Sequence, residues 1–318
     1  MGEPSYCLLT ACRNEAGFIG ETIRCVISQS LRPRRWIILD DGSTDQTAGL
    51  VEQLSQGYDW IRLHRLEPRR QRSFGAQYRA IMRGYEMIRH LPFEFVGALD
   101  ADISFESAEY FRTLLREFGA NPRLGIAGGV ICERENGVFK ERRGNVAWSV
   151  AGAVQMFRRE VFEAIGGYTP LEYGATDALA VLMAEMGGWE VRSLAGLRVL
   201  HHRPTCAADG RLRGAFRQGL MDAGYGYSPM FAILKYVRRL TFRPYVVGSV
   251  LSLAGYCSYK LKGGKPLMPD AALEYLGKVQ LERASRAIRF RGFGRTQYTD
   301  RKAGQQGPRL PRALRVDE

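Results

Sequence analysis

Trp36-Ile37-Ile38-Leu39-Asp40-Asp41-Gly42-Ser43-Thr44-Asp45 passes within ten residues from an unbroken apolar run to a turn crowded with acids. A short apolar run bounded by turn residues reads as a buried strand. Beyond it, Ser43 and Gln46 have the spacing of a capping box, and Leu50, Val51 and Leu54 give the inward face of the helix that follows.

The same alternation extends in both directions. Upstream, Tyr6-Cys7-Leu8-Leu9 reads as a strand, and Ile19, Ile23, Val26 and Ile27 share one face of a helix. Downstream, Ile61 and Leu63 mark a third strand, a helix is expected over 75–90, and Phe95-Val96-Gly97-Ala98-Leu99 is a fourth strand. Phe111, Leu114, Leu115 and Phe118 then line another helix before a fifth strand over 124–131. Strand and helix alternating at this spacing predict an α/β fold with a doubly wound, mostly parallel sheet.

In such sheets ligands sit beyond the carboxyl ends of the strands. The polar clusters fall there: Arg13-Asn14-Glu15 after the first strand, Asp40-Asp41 after the second and Asp100-Ala101-Asp102 after the fourth. Two acids fed by a buried strand into a cleft are costly without a ligand, which points to a hard divalent cation bridging phosphates. Ser43 and Asp45 are read as helix caps. One of Asp40 and Asp41 is left to accept hydrogen bonds from a base or ribose.

The sequence is less regular from 131 to 203. Short helices are expected over 159–165 and 177–186, each stopped by a Gly-Gly pair, and closing strands at Val191 and Val199-Leu200 lead into His201-His202. Arg69, Arg70 and Arg72 precede a helix start, a fitting place for a diphosphate, with Arg72 the chosen contact. From Lys235 basic residues flank the uncharged run 244–259, which as a helix would span about 24 Å, short of the ~30 Å of a hydrocarbon core. That run is expected to lie on a membrane surface or pack on the core, not to span. Beyond about 295 the chain is rich in Gly, Gln, Pro and Arg and is expected to be disordered.

The 318 residues carry 46 Lys and Arg against 33 Asp and Glu, a net charge of +13, which implies a phosphate-bearing partner. Six cysteines without a C-x-x-C pair imply reduced thiols, and the N-terminus lacks a basic stretch followed by an apolar one, so no signal peptide is expected. Nucleic acid is not expected as the partner, because the basic residues lie on the appendage and tail and do not interleave with aromatics on the sheet.

The strand ending in Arg13-Asn14-Glu15, the string Asp40-Asp41-Gly42-Ser43-Thr44-Asp45, Asp100-Ala101-Asp102 about sixty residues on, and Gly166-Gly167-Tyr168 with Asp177 together resemble the family 2 inverting glycosyltransferases of the GT-A fold. The resemblance covers about residues 5–203. It implies that Arg13 and Glu15, with Ala11, line the nucleotide pocket, that Asp41 holds the base, that Asp100 contacts the ribose or sugar or shares the metal, and that Asp40 and Ala101 complete the donor site. It further implies that Asp102 binds Mn2+ or Mg2+, with His201 or His202 as a further ligand. Asp177 becomes the base that deprotonates the acceptor hydroxyl; in the family a Glu commonly precedes it, and here Thr176 stands there.

Residues 1–130 are thus expected to bind the nucleotide sugar, 131–230 to complete the same domain on the acceptor side, 231–294 to form a basic helical appendage, and 295–318 a tail. The expected activity is inverting, metal-dependent transfer from a UDP-sugar to a hydroxyl of a glycan or lipid-linked glycan. The setting would be the cytoplasm, against the anionic inner face of the cell membrane. The alternatives are a polyprenyl-phosphate sugar synthase, whose acceptor is a phosphate and needs no base, and, more distantly, a basic nucleic-acid-binding protein.

Overall fold

β1 (Tyr6–Cys12) is apolar on both faces and almost wholly buried, so it can only lie inside a sheet that is covered on both sides. The computed structural model, which describes residues 2–67, 74–135, 137–142, 144–203, 210–241 and 244–289, places it there. β2 (Arg35–Asp40) and β4 (Phe95–Leu99) flank β1 in parallel, and β3 (Ile61–Arg65), with its exposed positions, pairs with β2. The remaining strands are β5 (Ile103–Phe105), β6 (Leu124–Glu135), β7 (Val138–Glu141), β8 (Val154–Arg158) and β9 (Glu190–His201). The sheet order is β3-β2-β1-β4-β8-β6-β9-β5, with β7 paired to β6.

β8 runs antiparallel to both β4 and β6, while β6 and β9 are parallel. The parallel left half is therefore extended by a mixed right half. The two closing strands expected near 191 and 199 are one continuous strand, β9, whose pairing with β6 shifts register between Gly129 and Val130.

The helices of this part are α1 (Ile19–Ile27), α2 (Thr47–Leu54), α3 (Phe74–Ile88), α4 (Tyr110–Ala120), α5 (Arg159–Ala164) and α6 (Thr176–Met186). Both faces of the sheet are covered. The Phe111 ring of α4 packs on Tyr6 with centroids 4.9 Å apart. On the opposite face α3 rests on Leu9 and Leu39, where a Cβ at Gly84 would lie 2.7 Å from Leu39 Cδ1. Any larger residue there would push the Leu39 side chain aside.

The capping box read at Ser43 and Gln46 does not form. α2 starts at Thr47, and its N-cap residue Gln46 makes no side-chain cap. Ser43 Oγ instead accepts from Asn14 N at 2.9 Å, and Asp45 Oδ1 supplies the cap by accepting from Thr47 N at 3.0 Å.

The chain divides into two compact units: the described residues up to Pro170 with Thr176 to Arg203, and Leu171–Ala175 with the described residues from Gly210 on. The second unit is built from α7 (Arg211–Gly224), α8 (Pro229–Arg238), α9 (Tyr245–Leu261) and α10 (Asp270–Arg289). Its core gathers Ala223, Ala232, Tyr236, Tyr256 and Tyr259. Among the described residues no helix is long and apolar enough to cross a membrane. The tail read as disordered lies outside the described residues.

Candidate active site

The register fixes which residues meet beyond the strand ends. Cys12 pairs with Asp40, and Leu9 with Ala98, so Arg13, Asp41 and Asp100 emerge at neighbouring strand ends. Ala11 is half-buried, pairing with Leu39.

The loops after β1 and β2 are stitched together. Asn14 takes a left-handed conformation (φ 56°), and its Oδ1 accepts from Thr44 N at 2.8 Å. Glu15 N donates to Thr47 Oγ1 at 2.8 Å, and Ala16 N to Asp45 Oδ2 at 3.2 Å. The Gly-Ser-Thr-Asp part of the acidic string is thus a clasp that holds the Arg13-Asn14-Glu15 loop. Asp40 Oδ1 accepts from Ser43 N at 3.0 Å and shapes the turn; Asp41, beside it, is also buried.

Asp100, Asp102 and His201 converge, with one ligating atom from each lying within 4.8 Å of the others. His201 Nε2 lies 3.3 Å from Asp102 Oδ1. His201 Nδ1 is buried and has no hydrogen-bond partner among the described residues. Two carboxylates and an imidazole with a buried, unsatisfied nitrogen fit a divalent cation.

Electrostatics separates the two acids. Burial, aided by the charge of Asp102, pushes Asp100 up to about 6 against the pull of His201 and the Gln77 amide, which donates to Asp100 Oδ1 at 2.6 Å. Burial also acts to raise Asp102, but His201 and Arg203 outweigh it and hold this carboxyl below the usual range. His201 is raised in turn: burial opposes its charge, and the carboxylates of Asp102 and Asp100 overcome that.

Of the two histidines left open by the sequence, His202 stands outside this cluster. Successive residues of a strand face opposite ways, and its ring turns from the carboxylates to Ser104 Oγ at 2.8 Å, with Glu21 Oε1 at 3.4 Å. The metal-ligand reading does not fit that setting. Ala101 is buried between the two acids, and its carbonyl accepts from Thr22 Oγ1 at 2.8 Å. Arg72 lies outside the described residues.

Arg203 is the residue that reading from sequence missed. Its Nε donates to Asp102 Oδ2 at 3.0 Å, and its Nη2 pairs with Glu15. It ties the loop after β1 to the carboxylate after β4. The only signal for it was adjacency to the His pair. Gln77, one position before the half-buried Tyr78, carried no signal.

Asp177 opens α6, following Ala175 in the left-handed region (φ 69°). Its Oδ2 accepts from Gly152 N at 3.0 Å. A Cβ on Gly152 would stand 2.6 Å from the Tyr78 hydroxyl oxygen, so glycine is required for this approach. Burial raises the Asp177 carboxyl, and backbone N–H groups of its own turn and of Gly152 only partly offset that. The residue lines a polar cavity of about 110 Å³ together with Arg142, Asn145, Ser149 and Ser193.

A family profile described as Glycosyl transferase family 2 matches residues 7–172, a little over half of the chain. Poly-beta-1,6-N-acetyl-D-glucosamine synthase of Staphylococcus aureus is 30% identical over 122 residues, which are 38% of this chain and 27% of that protein; the chain thus spans about a quarter of the length of the curated relatives it matches. Among solved structures, a mannosyltransferase from Pyrobaculum calidifontis in complex with GDP-Man and Mn2+ aligns with TM-score 0.55 at 17% identity, over 92% of this chain and 82% of that one. S. aureus TarS 1-349 in complex with UDP-GlcNAc aligns with TM-score 0.51 at 15% identity, over 75% and 73%. These likenesses establish the fold as GT-A. The clasped acidic string, the sheet and the profile agree that this chain belongs to glycosyl transferase family 2.

Proposed function

We propose that the chain transfers a sugar, with inversion, from a UDP-sugar to a hydroxyl of a glycan or lipid-linked glycan, with the help of Mn2+ or Mg2+. The observation that carries this reading is the convergence of Asp100, Asp102 and His201 beyond the strand ends, in a chain of this family. Asp102 and His201 would hold the cation, and Asp100 would share it or contact the donor. When bound, the cation supplies positive charge to the leaving diphosphate.

The chain's own groups have separate tasks. Asp41, with Ala11, Arg13 and Glu15, lines the nucleotide pocket, and the clasp from Ser43 to Thr47 keeps that pocket formed before the donor arrives. Asp177 accepts the proton of the acceptor hydroxyl as its oxygen attacks the anomeric carbon and the bond to the diphosphate breaks. A carboxyl raised by burial suits that task, because a stronger base forms at no cost in geometry. The relatives support the donor class: the TarS structure holds UDP-GlcNAc, and the S. aureus relative makes a polymer of N-acetylglucosamine. Association with an anionic membrane surface, and through it a cytoplasmic position at the inner face, belongs to the same reading, as do the nucleotide-sugar and acceptor halves at 1–130 and 131–230.

The test is a thermal-shift and turnover screen of UDP-GlcNAc, UDP-glucose and GDP-mannose with and without manganese. A UDP-sugar at a hundred times its Kd should add about 2.7 kcal/mol of stability. The reading fails if no nucleotide sugar stabilises or reacts in the presence of metal, or if Asp102→Ala keeps full turnover.

A further inference from the structure

α9 is built inside out for a helix in water. Its buried residues include Gly248, Ser249, Ser252 and Gly255. Its outward stripe, at helical spacing, is Val246, Val250, Leu253, Cys257 and Leu261, with Val250 59% and Leu261 87% exposed. The small residues serve a backbone-to-backbone contact with α7. A Cβ on Gly219 would collide with the Ser252 carbonyl, and one on Gly255 with that of Phe216. Close packing through small residues, with large apolar side chains turned outward, is how helices associate where the surroundings are as apolar as leucine.

α8 repeats the pattern. Met230, Ile233, Leu234 and Val237 point outward, with Ile233 52% exposed, while Ala232 and Tyr236 face the core. Single exposed apolar residues need no explanation, but two neighbouring helices that both present such a stripe do. The surrounding charge has one sign: between Asp222 and Asp270 the sequence holds seven Lys or Arg and no Asp or Glu. Arg238, Lys260, Lys262 and Lys265 are exposed at the ends of the two helices.

We propose that the outward faces of α8 and α9 are a docking surface for a bilayer carrying anionic lipid. The 17-residue α9 is too short to span, and its apolar stripe suits burial at the boundary between headgroups and acyl chains while the lysines meet the headgroup charge. This deepens the membrane part of the functional reading by naming the surface, and it does not depend on the transfer chemistry.

The experiment is co-sedimentation of the full chain with vesicles of neutral lipid alone and of neutral lipid with 30% phosphatidylglycerol, together with emission from a polarity-sensitive dye on Cys257 in a Cys206→Ser background. Binding to the anionic vesicles with a blue-shifted dye is expected. The change V250D/L253D should abolish both, and replacing Lys260, Lys262 and Lys265 by Ala should weaken binding on the order of 100-fold. Val250, Leu253, Lys260, Lys262 and Lys265 are exposed, and unchanged circular dichroism and melting would show that the variants fold. Binding that survives V250D/L253D, a dye that stays water-exposed, or a dimer that this variant dissolves without any vesicle binding would each overturn the proposal. Donor-induced stabilisation, measured on the same proteins, separates the two readings. It should persist in V250D/L253D, and its failure in the unmodified chain would count against transfer only.

Discussion

Arg203 grips Asp102: its Nε lies 3.0 Å from Oδ2, while the other face of that carboxylate meets His201 at Oδ1. The two partners come from one strand end and hold one acid from both sides. The Asp102 carboxyl is thereby held below the usual range although buried, whereas Asp100, two residues away, is pushed up to about 6 by burial and by the charge of Asp102. The division of labour between two like residues follows from what each touches.

Replacing Arg203 by Ala should therefore disturb the donor side of the reaction. It removes a half-buried charge-assisted pair to Asp102 and the link to Glu15, each worth on the order of 1 kcal/mol. The expected outcome is a rise of roughly 10- to 100-fold in donor KM. Arg203→Lys should recover only part, since an ammonium cannot span two carboxylates as a planar fork does. Steady-state kinetics with donor varied at saturating metal would show this, and an unchanged KM in both variants would remove Arg203 from the site.

The two histidines should separate under metal titration. His201→Ala and Asp102→Asn are expected to abolish the manganese-dependent shift in melting temperature, whereas His202→Gln should keep it within a few-fold in metal concentration. His202 bonds to Ser104 and stands edge-on to Phe139, with ring centroids 5.5 Å apart. An equal loss in His201 and His202 variants would contradict the assignment.

The sequence carried the positions of the paired acids at the strand ends because they are local events: an apolar strand that stops in acids looks the same before and after folding. It could not carry Arg203 to Glu15, a pairing across 188 positions that only the closing strand brings about. It also misjudged Ser43. A serine three residues before Gln46 fits a capping box by spacing, but the competing donor, Asn14 N, comes from the loop after another strand and is invisible to a local pattern. The choice between His201 and His202 turned on strand phase, which was set by the pairing of Ile103 with His201.

In the second unit, Asp222 is fully buried and accepts from Lys235 Nζ at 2.7 Å, Tyr236 Oη at 2.9 Å and Gln218 Nε2 at 2.9 Å. Asp222→Ala would leave the partly buried ammonium of Lys235 unpaired and should cost about 3 kcal/mol of unfolding free energy. Removing both partners in D222A/K235A should restore part of it, since no uncompensated charge remains. Urea unfolding of the three proteins would measure the coupling, and additive losses would show that the pair contributes nothing as a pair.

If Asp177 is the base proposed above, its raised carboxyl couples stability to activity. As a base it must be ionised, so kcat should fall as pH drops through a value above the ordinary aspartate pKa of 3.8. Asp177→Asn should erase that limb and lower kcat by roughly 100- to 10,000-fold, while donor KM changes little. A rate left nearly intact would favour a phosphate acceptor, which needs no base. For folding the sign is opposite to that of a salt-bridged acid. Between 3.8 and the raised value the folded chain holds a proton that the unfolded chain has released, so stability declines as pH rises through that window. Above it, the buried charge is a standing cost. Asp177→Asn keeps an oxygen to accept from Gly152 N but carries no charge, and should melt higher than the unmodified protein at pH 7. A variant that is both nearly inactive and more stable is the signature of a group held in an unfavourable state for chemistry. If melting at pH 7 falls instead, the carboxylate is a structural cap on α6 and not the base.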